Sequence, residues 1–380
     1  MHALRTADGG AVTGFLMRRG GEKTVVCAMH PREVSIAHYL APAILKSGAA
    51  FWVQGSRTPN VDLRLEHELA VLDLAAGQNF LRQAGFQKTV LLGTSGGGPL
   101  AAFYIQQASA KPEDRLAKTP AGRASGLQEA KLPEPDALIL ISSHLGQGSL
   151  LEAGLDPSVT DEQKPFESDP ELDPFSEKNG FKEPPASSAY SAPFLERYRA
   201  AQRRRVERID AWARRLLKER AEARKSGADR RRASWSPIME IWRTDADLRC
   251  WDVSLEPSPR AYGSLWGADP FKSNFGSVGF ARLCTPESWL STWSSISSNA
   301  TMAKCAPAVH QPACLIRYLG DNSVFDSEAR RLTALLGSSE KSVFELPGNH
   351  HGRAVAPGEP DGRKLAEKVC VDWLSDHGFL

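Results

Sequence analysis

The chain has few cysteines, and they are scattered: Cys27, Cys250, Cys284, Cys305, Cys314 and Cys370 among 380 residues, with no C-x-x-C pair. That excludes a disulfide framework and suits reduced thiols in the cytoplasm. Cys305, His310 and Cys314 offer three ligands at irregular spacing, short of the four in tight pairs that a structural zinc takes, so no metal is expected. Long apolar runs are missing too. No stretch approaches 18 residues, and Met1 to Gly21 has no basic start followed by an apolar segment, so neither a membrane span nor a leader is expected. An excess of one charge is also absent: 47 Lys and Arg face 45 Asp and Glu, for a net of +2, which gives no ground for a nucleic-acid or membrane partner. There is no Gly-Lys-Ser/Thr, and no G-x-G-x-x-G with an acidic residue about twenty positions on, so no nucleotide cofactor is expected and none of another kind is indicated.

What the chain does contain is a series of short apolar runs bounded by Gly, Pro or polar residues. These are Lys23 to Met29, Ala49 to Val53, Lys88 to Leu92, Asp136 to Ile141, Ala313 to Leu319 and, more weakly, Ser342 to Leu346. Each reads as a buried strand of a parallel sheet. Helical periodicity separates them. Leu63 to Ala84 carries an apolar stripe (Leu65, Leu69, Leu72, Leu74, Ala75, Phe80), and similar patterns follow Ser95, run from Ser327 to Leu336 and close the chain from Gly362 to His377. Strand alternating with helix predicts an α/β fold with a doubly wound, mostly parallel sheet.

The chemistry is carried by Gly93-Thr94-Ser95-Gly96-Gly97, a G-x-S-x-G pattern that follows an apolar strand and opens an apolar helix. In that context the serine sits on a tight strand-to-helix turn, with Gly93 and Gly97 allowing close backbone approach. A serine hydroxyl needs a base to take its proton and a third group to orient that base. Asp321 follows the fifth run and His350 and His351 follow the sixth, both at strand C-terminal ends, where ligand groups gather in such sheets. Asp326 is a competing acid, further into its loop and near a helix start.

Over about Lys23 to Leu145 and Ala313 to Leu380 the chain resembles an α/β-hydrolase fold serine hydrolase of the carboxylesterase kind. The strand-elbow-helix, Gly320-Asp321 and Gly348-Asn349-His350 match in order and spacing. The resemblance implies Ser95 as nucleophile, Asp321 as acid and His350 rather than His351 as base. It also implies oxyanion donors at the N–H of Gly96 and in the loop after the first long strand. There relatives carry His-Gly-x and this chain has His30-Pro31-Arg32; proline has no N–H, which leaves Arg32 as donor. The Arg32 side chain could instead bind a substrate carboxylate or make a structural ion pair. His30, His144 and His351 are expected at the pocket. A serine at the elbow argues against the dehalogenases and epoxide hydrolases of this fold, which use aspartate.

From Gly146 to Pro312 no buried parallel strand appears, so residues 1–145 and 313–380 read as the two parts of the core and 146–312 as a large, mainly helical cap inserted before the acid-bearing strand. Glu152 to Glu183 has ten acidic and three basic residues and is expected to be extended; Phe194 to Arg232 has fifteen basic against six acidic in good helix formers. The basic run from Arg203 to Arg232 is expected to be a solvated face that pairs with the acidic segment. Trp235, Trp242, Trp251, Trp266, Trp289 and Trp293 would line a pocket or form the cap's own core. The expected function is hydrolysis of a small-molecule carboxylic ester through an acyl-enzyme. Alternatives are cleavage of a carbon–carbon bond in a ring-fission diketone, or of a lactone, amide or thioester; a non-catalytic scaffold is the reading from another class.

Overall fold

The computed structural model describes residues 1–380. Eight strands form one sheet: β1 (His2–Arg5), β2 (Ala11–Met17), β3 (Thr24–Met29), β4 (Ala50–Gln54), β5 (Lys88–Thr94), β6 (Ala137–Ile141), β7 (Ala313–Tyr318) and β8 (Lys341–Leu346). Their spatial order is 1-2-4-3-5-6-7-8. β1 and β2 pair antiparallel, as do β2 and β4, and all other neighbours run parallel.

The continuous apolar runs are explained by helices on both faces. Along β3, Val25, Cys27 and Met29 point into one cluster while Val26 and Ala28 point into the other, because successive side chains leave a strand on opposite sides. The first face is covered by α2 (His67–Gln83) and α3 (Gly97–Ser109), and the second by α1 (Ala41–Ser47) and the C-terminal α7 (Gly362–Asp376). Another helix, α6 (Asp326–Leu335), adds Leu332 to the first face.

Between β6 and β7 the chain leaves the sheet. It enters through α4 (Gln147–Gly154) and runs without further helix, save one turn at Glu177–Asn179, to α5 (Ala192–Ser226), which is 35 residues long. Ser191 caps α5 by accepting from the Phe194 N–H, and Gly227 ends it at φ +65°. Beyond α5 come short helical turns, loops and a two-residue ribbon, Met239–Glu240 against Leu283–Cys284. The segment is therefore less helical than its composition predicts, since its Pro- and Gly-rich stretches cannot continue a helix.

This insertion has its own core. Leu151, Val206, Ile209, Trp289 and Trp293 gather round Leu65 from the frame, and Phe175, Tyr198 and Trp251 pack with Phe325. Trp235 and Trp266 are exposed. Arg203, Arg205 and Arg208 of α5 pair with Glu152 and Glu162 of the acidic segment. The stretch Ala300 to Val309 packs instead against the sheet-and-helix core through Ala300, Met302, Cys305, Ala306 and Val309, so the frame resumes well before Pro312. No helix is long and apolar enough to cross a membrane.

Candidate active site

Ser95 lies on the turn between β5 and α3 with φ +51°, a left-handed conformation that costs a non-glycine residue about 1–3 kcal/mol. Its N–H donates to the Ile141 carbonyl at 3.0 Å, which ties the turn to β6. The flanking glycines are required by space. A Cβ on Gly93 would stand 2.6 Å from the Gly98 Cα, and one on Gly97 would stand 2.6 Å from the Met29 carbonyl oxygen. The chain is thus folded back tightly enough to lift the serine out of the core: Ser95 is half-buried while Gly96 to Leu100 are buried.

Asp321 and His350 sit on the loops after β7 and β8, which are joined where the Gly320 N–H donates to the Gly348 carbonyl at 2.8 Å. Both are buried. The Asp321 carboxylate accepts from the Ser323 and Val324 N–H groups at 2.8 and 2.9 Å and faces His350 Nδ1 at 2.9 and 3.0 Å. Burial alone would push the imidazole down, but the adjacent carboxylate and its hydrogen bond outweigh burial and hold the His350 pKa above its usual 6.5. Nδ1 therefore carries a proton, and Nε2 is left free to accept one. Asp326 lies elsewhere: it pairs with Arg317 and Arg330.

Ser95 and His350 line one cavity of about 310 Å³ together with His30, Arg32, His351, Gln147, Leu150, Leu265 and Phe280. His351 is exposed, with its ring edge-on to His350 at 5.1 Å. The Gly96 N–H, at the start of α3, has no carbonyl partner and is free to bind an anion.

Two expectations need correction. Arg32 was read as the second N–H donor, yet its N–H donates to His30 Nδ1 at 3.1 Å, and the Glu33 N–H donates to the same atom at 3.2 Å. The Arg32 guanidinium is also occupied. It forks onto Asp62 at 2.6 and 3.1 Å and lies 4.8 Å from the Phe280 ring centroid, the geometry of a structural ion pair rather than a free carboxylate receptor. His144 was expected at the pocket but is buried behind it, its Nδ1 accepting the Gly146 N–H at 3.1 Å; burial lowers its pKa to about 3. Cys305 is buried in the core and His310 is exposed beside Gly337.

The sequence reading missed Gln147, Leu150, Leu265 and Phe280. No spacing marks them, since each reaches the cavity from the insertion rather than from a strand end. The only available signal for Gln147 was its place just past a strand, after Gly146. None of the seven tryptophans between residues 146 and 312 lines the cavity.

The strand order, the elbow after β5 and the acid and histidine loops after β7 and β8 together define the α/β-hydrolase fold, and the chain has it. No protein-family profile matches the chain, and no curated protein does. Solved structures do. DcsB, determined in complex with its substrate analogue, superposes with a TM-score of 0.52 at 12% identity over 99% of this chain and 97% of its own. The α/β hydrolase GrgF from Penicillium gives a TM-score of 0.48 at 9% identity over 100% and 96%. A monoacylglycerol lipase from Paleococcus ferrophilus gives 0.46 at 13% over 96% and 99%.

Proposed function

We propose that this protein is a serine hydrolase that cleaves a carboxylic ester of a small apolar or bulky substrate through an acyl-enzyme. The observation that carries the reading is the pairing of Asp321 with His350, which lines the same cavity as Ser95. In the mechanism, Ser95 Oγ attacks the ester carbonyl and passes its proton to His350 Nε2, and the carbonyl π electrons move onto oxygen. The Gly96 N–H receives that oxyanion. Collapse expels the alcohol, which takes the proton from His350; water then repeats the sequence to release the acid. Asp321 keeps the imidazole in the working tautomer and stabilises the imidazolium.

The segment from 146 to about 300 is the proposed cap over this site: Leu265 and Phe280 would shape the acyl or alcohol pocket and exclude water. The balanced net charge of +2 supports a small-molecule substrate rather than a polyanion, and the lack of any disulfide suits the cytoplasm. A series of p-nitrophenyl esters tests the reaction. Purified protein is expected to hydrolyse them and to be labelled at Ser95 by a fluorophosphonate, and Ser95→Ala is expected to lose at least about 10³-fold in kcat. Preference for a coloured dienoate over every ester would replace the ester reading by carbon–carbon hydrolysis.

A further inference from the structure

An acyl-transfer site in which one backbone N–H faces the developing anion is short of a donor, and Arg32, the expected second one, is bound to His30. We propose that the side-chain carboxamide of Gln147 is the second oxyanion donor. The inference rests on the serine-hydrolase reading and adds to it a residue from outside the motif loops.

The position argues for it first. Gln147 is 2% exposed, yet it lines the same cavity as Ser95 and His350. Its amide nitrogen lies 3.0 Å from the point where a Cβ on Gly96 would stand, so it packs directly against the residue that bears the first donor. A side chain at position 96 would press on Gln147 Nε2 and on His30 Nε2, which is 2.9 Å from the same point.

The hydrogen-bond inventory argues for it next. A buried carboxamide normally spends its two N–H donors. The Gln147 amide donates to no group of the protein, whereas Gln202, buried to the same degree, donates to the Ala153 and Leu155 carbonyls at 2.7 and 2.8 Å. The anchor is firm as well. Gly146 bridges to Thr301, and the Met302 N–H donates to the Leu145 carbonyl at 2.8 Å, so the loop that carries Gln147 is clamped by the frame.

The test compares the parent enzyme with Gln147→Ala and Gln147→Glu on a p-nitrophenyl ester, with a boronic acid as a tetrahedral mimic. Both variants are expected to lose about 10²–10³-fold in kcat at neutral pH with KM changed by less than about threefold, and the alanine variant's boronate affinity is expected to fall in parallel. The glutamate variant fills the same volume, so it guards against misfolding by the smaller side chain. Protonation restores its O–H donor, and its rate relative to the parent is expected to rise as pH falls, which a merely structural role would not produce. Alanine-variant activity within about threefold of the parent, a rise in KM at constant kcat, or a flat variant-to-parent ratio across pH would each overturn the proposal. If the parent itself neither turns over esters nor labels at Ser95, the serine-hydrolase reading fails, and the Gln147 assignment with it.

Discussion

A carboxylate with both oxygens near one imidazole nitrogen fixes a tautomer, and the consequence at Asp321 and His350 can be measured. Replacing Asp321 with Asn keeps the shape but turns an N–H donor towards Nδ1, favouring the tautomer whose Nε2 cannot act as base. We expect kcat for ester hydrolysis to fall about 10⁴-fold, with fluorophosphonate labelling slowed alongside. The same pair sets a pH profile. His350 must be neutral to take the serine proton, and its pKa is held above 6.5, so kcat/KM should rise with pH through a midpoint above 6.5 and be lost as pH falls through it. A midpoint below 6.5 would mean that burial, not Asp321, controls the base. Away from the reaction, His67 is buried with neither ring nitrogen bonded, and burial lowers its pKa to about 4. The unfolded chain binds that proton near pH 6.5, so the stability from keeping His67 neutral is complete above 6.5 and is lost as pH falls towards 4. His67→Leu should therefore flatten the acid side of a Tm-versus-pH curve without lowering Tm at pH 7; an unchanged slope would refute this.

Among the elements, the turn after β5 tolerates least. Gly97→Ala would drive a methyl group into the Met29 carbonyl and should cost at least about 2 kcal/mol, read as a lower midpoint in urea, with activity lost even where the protein still folds. Such a turn is legible in a sequence because three constraints coincide on five residues: a buried strand before, an apolar helix after, and glycines where a Cβ cannot go. The strands from β3 to β8 and the helices α2, α3, α6 and α7 were legible for a related reason, since elements covered on one or both faces leave continuous or periodic apolar patterns. The β1–β2 hairpin was not read, because it lies at the sheet edge, where half-exposed residues blur the alternation and Gly14 stands in mid-strand. That glycine has its cause 38 residues away: a Cβ there would lie 1.9 Å from the Trp52 ring. α1 escaped as well, being only seven residues long. The Arg32 N–H was misjudged because sequence spacing cannot show that a neighbouring imidazole has already claimed a donor.

On the scale of the whole molecule, the insertion is held by buried charge as much as by its tryptophans. Arg205 is fully buried on α5. It forks onto Glu162 at 2.9 and 2.6 Å and donates to the Asp156 and Trp242 carbonyls at 2.7 and 2.8 Å. Removing one partner strands the other, so Arg205→Met should destabilise the protein by about 3–5 kcal/mol, while the double change with Glu162→Leu should recover much of that loss; additive losses in urea unfolding would contradict the coupling. The seam between insertion and frame passes through Arg32 and Asp62. Arg32 stacks on Phe280, and Asp62 accepts the Ala281 N–H at 3.1 Å. Phe280 is thereby moored to the loop that begins at the end of β3, although it lies more than two hundred residues further along the chain. The proposed triad and the Phe280 wall of the cavity thus come from distant stretches of sequence, and the Arg32–Asp62 pair is one of the contacts that hold them in register, so a change at either residue of that pair would reshape the cavity without touching Ser95, Asp321 or His350.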